Sequence, residues 1–252
     1  MTIIESIILG AIQGLTEFLP VSSSGHLVLS QKILNINQPG NAFEVLVHLG
    51  TLLSVIVVFY EDLKSILSSI KMKETQSFII FIIIGTVPAI IIGLGFKDIF
   101  DSLFDNIKAV GFALLFTGAI LVSSSKLKYS DKNLNWQKSL IIGCVQALAI
   151  IPGISRSGIT ICMGLFLGLS SKKAARLSFL LAIPVISGAG LLTALDVDGG
   201  FQLSFSIVVS GFISSFLIGI IALKWLLSWL EQGKFHYFGI YCFCIGLLTI
   251  VV

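Results

Sequence analysis

A few polar side chains with the means to do chemistry interrupt an otherwise apolar chain. Gln13, Glu17, Ser23 and His26 lie close together near one end, and Arg156 lies in the second half between Ser155 and Ser157. Gln13 and Glu17 are four residues apart and share a helix face. A carboxylate there can hold a hard divalent cation beside phosphate oxygens, act as a general base, or balance the charge of Arg156. Ser23 and His26 are three apart at a helix start, so their side chains project to one side. Hydroxyl beside imidazole is the minimum for an activated nucleophile or for a general acid; the plainer alternative is a capping serine and a hydrogen-bonded core histidine. Arg156 has a planar fork that matches phosphate oxygens; the plainer alternative is a structural ion pair with Glu17 or Glu44. His48 could pair with Glu44 one turn away in a structural role, and His236 reads as a loop or interface residue.

The two polar stretches are versions of one another, 133 residues apart. Aligned without a gap from Ser6/Ser139 to Gly25/Gly158, eight of twenty positions are identical. Chance would give about two, so the chain reads as a duplication. The copies diverge where chemistry would matter: Glu17 faces Ile150, Ser23 faces Arg156 and His26 faces Ile159. One copy carries acid, hydroxyl and imidazole, the other a guanidinium. That division suits a composite site for a phosphate-bearing ligand.

Elements must then bring the copies together. In each, an apolar run (3–19, 139–151) is broken by Pro and a Ser/Gly cluster and followed by a second short run (27–34, 159–169). Ser22, Ser23 and Ser24 after Pro20, and Ser155 and Ser157 after Pro152-Gly153, are helix-start signals with hydroxyl caps. Half-helices beginning at mid-membrane aim free N–H groups and a positive dipole end inward, which suits an anion. The candidate phosphate-binding residues are therefore Ser22, Ser24, Gly25, Gly153, Ser155, Ser157 and Thr160. The alternative is that Ser and Gly only permit close helix packing.

The rest of the chain is membrane-like. Of 252 residues 56% are hydrophobic and 12% charged, and the mean hydropathy is +1.03. A soluble domain of this size could not bury that much apolar surface. The net charge of +3 gives no reason to expect nucleic acid, and the four cysteines match no zinc pattern. Full-length apolar runs lie near 42–60, 77–96, 107–125, 177–195, 204–229 and 236–252. Each half-segment is too short to span comfortably, so a pair that dips in and returns to the same face explains it better. The fold class expected is an all-α integral membrane protein of two inverted repeats, each one re-entrant half-helix pair plus three transmembrane helices. Residues 1–252 form one membrane domain, with repeat one about 1–130 and repeat two about 134–252.

Loop charges provide a check. With the first pair entering from side A, side B receives Lys64, Lys71, Lys73, Lys126, Lys128, Lys132, Lys138, Lys172, Lys173, Arg176 and Lys234. Side A receives Lys97 and Lys108, with Lys32 also near it, together with Asp98, Asp101, Asp105, Asp196 and Asp198. Side B is then cytoplasmic and both termini lie outside.

Gln-x-x-x-Glu followed by Phe-Leu-Pro-Val-Ser-Ser-Ser-Gly-His, with Pro-Gly-Ile-Ser-Arg-Ser-Gly-Ile-Thr later and Ala-Arg-x-Ser-Phe-Leu-Leu at 175–181, resembles the undecaprenyl-diphosphate phosphatases linked to bacitracin resistance. The likeness spans the whole chain. It implies removal of the terminal phosphate from a C55 polyprenyl diphosphate, which frees the monophosphate carrier for cell-wall synthesis. It also implies a divalent cation (Mg2+ or Ca2+), a plasma-membrane location, a site reached from the outer face, and room for a homodimer. The family's acidic motif is (Glu/Gln)-x-x-x-Glu. This chain has the Gln form, so Gln13 could assist a metal at Glu17 only through its amide oxygen. Ser23, His26, Glu17 and Arg156 are the expected catalytic residues. A polyprenyl-phosphate flippase is the rival reading, since inverted repeats with an anion site serve transporters as well.

Overall fold

The computed structural model describes residues 1–36, 42–96, 103–104, 106–127, 130–196 and 203–251, excluding the side chains of 193–196. Lys97, Asp98, Asp101, Asp105, Lys128 and Asp198, and the side chain of Asp196, lie outside it. The described residues form helices without strands. In chain order these are α1 (Ile3–Phe18), α2 (Ser23–Ile33), α3 (Ala42–Val58), α4 (Tyr60–Ser68), α5 (Lys73–Gly95) and α6 (Ile107–Ser123). The second half contributes α7 (Trp136–Leu148), α8 (Arg156–Phe166), α9 (Ser171–Asp196), α10 (Phe205–Glu231) and α11 (Tyr237–Val251).

The two expected breaks are real. Pro20 removes an N–H and forces Leu19 to extended backbone (φ −60°, ψ 139°), so α1 stops at Phe18. Ser22 turns the chain at φ 70°, a conformation non-glycine residues rarely adopt, and its hydroxyl caps α2 at Gly25 N–H. In the second copy Gly153 makes the turn at φ 100° and Ser155 caps α8 at Gly158 N–H.

Four described helices are long and apolar enough to cross a membrane: α5, α6 with the turn after it, α9 and α10; α3 and α4 together make a fifth. Their outward faces carry exposed Ile83, Ile91 and Leu94 on α5 and Leu217 and Ile221 on α10. Apolar exposure on this scale needs lipid around it. The chain is a multi-pass, all-helical integral membrane protein. Pro88 and Pro184 lie inside α5 and α9 without ending them, as neighbouring helices allow in a bilayer.

Two spans differ from the expectation. The run 42–60 does not end as a straight span but bends by 67° at Phe59 into α4. The reason is visible in α4, whose first turn carries Glu61 and Asp62 and whose residues are all at least partly exposed. Such a segment belongs at an interface rather than in hydrocarbon. The run 236–252 is a described helix of only 15 residues, about 22 Å long at 1.5 Å per residue.

Small residues set the packing. α1 lies against α10 through Gly10 and Gly14; a Cβ on Gly14 would stand 2.6 Å from Ser215 O and one on Gly10 2.5 Å from Gly211 O. α7 meets α5 at Gly143 and Gly85, where the Ser139 hydroxyl donates to Phe81 O. α6 and α11 pack through Gly118 and Gly239. The central core, around Phe18, Phe179, Leu181, Ile161 and Leu226, takes in Leu19 and Val21 of the first break.

Polar contacts gather at one end of the bundle. Arg176 donates to Asp62 at 2.8 Å and stacks 4.3 Å from the Phe78 ring centroid. Lys173 pairs with Asp131 at 2.9 Å, and Lys172 with Glu231 at 3.5 Å. The Lys173 hydrogen bond holds the Asp131 carboxyl below its ordinary range. Lys132 N–H donates to Gly168 O at 2.8 Å. The segments around 62, 131, 168–176 and 231 therefore share one face of the molecule.

Candidate active site

Glu17, in the last turn of α1, is the hub of the two breaks. Its Oε1 takes Arg156 Nη2, the first residue of α8, at 2.5 Å. Its Oε2 accepts the Ser23 hydroxyl at 2.6 Å and Gln13 Nε2 at 3.0 Å. His48 of α3 brings Nε2 to 3.6 Å from the same Oε2. Arg156 Nη1 also donates to Ser178 O at 3.4 Å, while the Ser178 hydroxyl lies 2.6 Å from Thr160 Oγ1. Glu17 is only 8% exposed, so this charge is held by partners rather than by water.

Backbone contact between the breaks makes this possible. Ser22 Oγ accepts Gly153 N–H at 3.0 Å. A Cβ on Gly25 would come within 3.2 Å of Gly153 Cα. Thr117 of α6 clamps the second turn, donating to Gly153 O at 2.9 Å and accepting Ser155 N–H at 3.2 Å. Ser155 and Ser157, with hydroxyls 3.3 Å apart, are buried beside it.

A cavity of about 310 Å³ opens on this cluster. Glu17, Ser22, Ser23, Ser24, Glu44, His48, Ser155 and Arg156 line its polar part, and Val45, Val185, Ile186 and Ile150 supply an apolar wall. Gly25, Gly153, Ser157 and Thr160, expected to bind phosphate, shape the turns behind it instead of lining it. The arrangement offers a hydroxyl on a carboxylate, a guanidinium on the other oxygen, and an apolar flank.

The expected Ser23–His26 pair is not formed. Ser23 turns back across the break to the stronger, charged acceptor on Glu17. His26 points to the last helix: its Nδ1–H donates to Ser22 O at 2.8 Å and Nε2 accepts the Tyr241 hydroxyl at 2.8 Å, with the rings stacked. A carbonyl can only accept, which fixes that tautomer. His48 does not pair with the Glu44 carboxylate either. Its Nδ1–H donates to the Glu44 carbonyl at 2.7 Å, and the carboxylate takes Gln31 Nε2 at 3.2 Å. Thr117, Ser178 and Tyr241 were not singled out from sequence. Thr and Ser within apolar helices were the available signal for the first two.

Residues 6–248 match the family described as Bacitracin resistance protein BacA. The chain belongs to the BacA family. A relative from Halothermothrix orenii, named undecaprenyl-diphosphatase, is 44% identical over 100% of this chain and 98% of its own length. A relative of the same name from Christiangramia forsetii is 43% identical over 100% and 98%. Undecaprenyl-diphosphatase 2 of Bacillus thuringiensis is 40% identical over 99% and 97%.

A divalent cation can be tested against this BacA chain's own atoms. Among the described residues no three His, Cys, Asp or Glu side chains cluster to form a complete cage. Gln13 Oε1, however, is buried without a hydrogen-bond partner, while the same amide's Nε2 sits on the Glu17 carboxylate, so turning the amide over would bring its oxygen to that carboxylate. Hard oxygen donors of this kind fit a cation that shares phosphate oxygens with a ligand.

Arg156→Lys keeps the charge but loses the fork. It is expected to slow phosphate release from a diphosphate substrate by the roughly 2.7–4 kcal/mol typical of one lost transition-state donor. Thermal unfolding should change far less. Near-normal release by the Lys variant would reduce Arg156 to a structural role.

Proposed function

We propose that this chain hydrolyses the terminal phosphate of undecaprenyl diphosphate, giving undecaprenyl phosphate and inorganic phosphate. It thereby recycles the lipid carrier for cell-wall synthesis and confers bacitracin resistance. The observation that carries the reading is the Glu17 carboxylate, which joins the Ser23 hydroxyl to Arg156 on the wall of the cavity. The names of full-length relatives at 40–44% identity agree with it.

In the mechanism we favour, Ser23 Oγ attacks the terminal phosphorus as its proton passes to Glu17 Oε2. The bond to the bridging oxygen breaks, and undecaprenyl phosphate leaves with the electron pair. Glu17 gives that proton up to the departing phosphate; water then attacks the phosphoserine as Glu17 takes its proton and returns it to the Ser23 oxygen, releasing inorganic phosphate and restoring the hydroxyl. The leaving group is itself a phosphate, stable as an anion, so its departure makes little demand on a general acid. That relaxes the requirement for His26 as proton donor. Its Nδ1–H instead steadies the carbonyl just before Ser23. Arg156, with the N–H groups opening α2 and α8, stabilises the charge on the phosphoryl oxygens. Ser22, Ser24 and Ser155 add hydroxyls on the cavity wall, and Ser157 and Thr160 support the turn behind it. A divalent cation, Mg2+ or Ca2+, bound by Glu17 and the Gln13 amide oxygen would supply further positive charge to the diphosphate. The apolar wall between α3 and α9 suits the prenyl chain. Each chain has its own site, so a homodimer would hold two.

The reading also takes the two halves as inverted repeats with re-entrant pairs α1–α2 and α7–α8. Support comes from packing: α1 lies on α10 and α7 on α5, the same pairing with the halves exchanged. The Asp62–Arg176 and Asp131–Lys173 bridges support it too, since they join loops that two fully crossing segments would separate. Side B is then the cytoplasmic face of the plasma membrane, with both termini and the site opening outside.

Two measurements test this. Ser23→Ala is expected to abolish phosphate release while undecaprenyl diphosphate still binds, because Arg156 and the helix N-termini remain. Release within a few-fold of wild type would move the nucleophile to a water activated at Glu17, and weakened lipid binding by Ser23→Ala with no release by wild-type protein would favour the flippase. Cysteines placed in the 65–75 and 130–137 loops should label only from the cytoplasmic side and those in the 98–106 loop only from outside. Labelling of the first two loops from opposite sides would end the inverted-repeat reading.

A further inference from the structure

His48 has a donor–acceptor problem that the hydrolytic reading leaves unsolved. Its Nδ1 lies 2.7 Å from the Glu44 carbonyl, which can only accept, so Nδ1 carries the hydrogen. In the neutral ring Nε2 is then a lone pair, and it faces the Glu17 carboxylate oxygen at 3.6 Å. Two lone pairs facing each other on the wall of one cavity repel unless a second ring proton or a bound cation lies between them. Arg156 does not fill that role, because it engages the other carboxylate oxygen. Beside the pair is a second anomaly: Gln13 Oε1 is buried and unpartnered, while its Nε2 sits 3.0 Å from the same Glu17 Oε2. Turning that amide over would place its oxygen where the nitrogen now is.

We infer that His48 Nε2, Glu17 Oε2 and the Gln13 amide oxygen are the protein half of a mixed nitrogen–oxygen divalent-cation site. Two donors bound to one ion at about 2.1 Å lie roughly 3.0–3.4 Å apart. The observed 3.0 and 3.6 Å separations around Glu17 Oε2 need little adjustment to meet that. A ring whose other nitrogen donates to a backbone carbonyl is the usual form of a metal-binding histidine, since that bond fixes both tautomer and orientation. The Glu44 carboxylate, on the same cavity wall, adds negative charge nearby. The remaining positions would be taken by phosphate oxygens and water. This rests on the phosphatase reading for its substrate, and it refines the metal class. An imidazole donor tolerates first-row ions such as Mn2+ better than it does Ca2+, which takes oxygen ligands.

Mn2+ is the probe, added to purified full-length protein in lipid nanodiscs and followed by pulsed electron paramagnetic resonance. Bound Mn2+ should show the nuclear modulation of one directly coordinated histidine nitrogen. Expressing the wild-type protein with 15N-histidine should change that modulation to the 15N pattern, which requires no substitution and so no assumption about folding. His48→Gln should lose the modulation, and His26→Gln should keep it. Mn2+ bound with oxygen-only coordination, modulation surviving in His48→Gln, or no Mn2+ bound at all would each overturn the inference. Phosphate release from undecaprenyl diphosphate, measured on the same preparations, separates the two readings. Release without nitrogen coordination removes only the role given to His48, and no release under any divalent cation removes the phosphatase reading.

Discussion

A carboxylate and a guanidinium, held together in an apolar interior, are the constraint on which the molecule depends. Glu17 and Arg156 lie 139 positions apart and meet at 2.5 Å. Neither could be left alone at this depth, since an isolated charge in low dielectric costs several kcal/mol. Their pairing therefore forces the two broken segments to converge. The convergence explains features that would otherwise look arbitrary. A Cβ on Gly25 would crowd Gly153 and one on Gly153 would strike Val110 O of α6, and Ser22 accepts an unfavourable φ to reach the Gly153 N–H. Thr117 anchors the second turn from a third helix.

The same pairing divides labour between the halves. The first copy contributes the acid and the hydroxyl, the second the cation, and each contributes a capped helix start. Neither copy has a complete site. The two turns are similar, and three aligned positions make them chemically complementary: Glu17 against Ile150, Ser23 against Arg156, His26 against Ile159. Small residues along α1 and α7 then seat both segments against long helices of the opposite half.

How much of this was legible follows from where each signal lies. Pro20 and Pro152 with their serine clusters act locally, so helix, break and helix were readable in both copies. The residues of the composite site were readable because charged groups in apolar runs are conspicuous. Contacts that cross the fold were not. The Ser23–His26 spacing suggested a pair, but a carboxylate across the break competed better for the hydroxyl, and Tyr241, 215 positions away, took the imidazole. The bend at Phe59 was hidden because the apolar run extends through it, and only the acidic start of α4 marks the change. His48 was noticed for its neighbour Glu44, yet the bond it makes is to that residue's backbone.

The central claim is that Glu17 and Arg156 act as one unit assembled from both halves. The direct measurement is a double-variant cycle on phosphate release from undecaprenyl diphosphate, comparing Glu17→Gln, Arg156→Gln and the two together. Groups that act as a unit lose activity non-additively. The account predicts a double variant no more than a few-fold slower than the worse single variant. Losses that multiply would mean that the two residues act independently, and would contradict it.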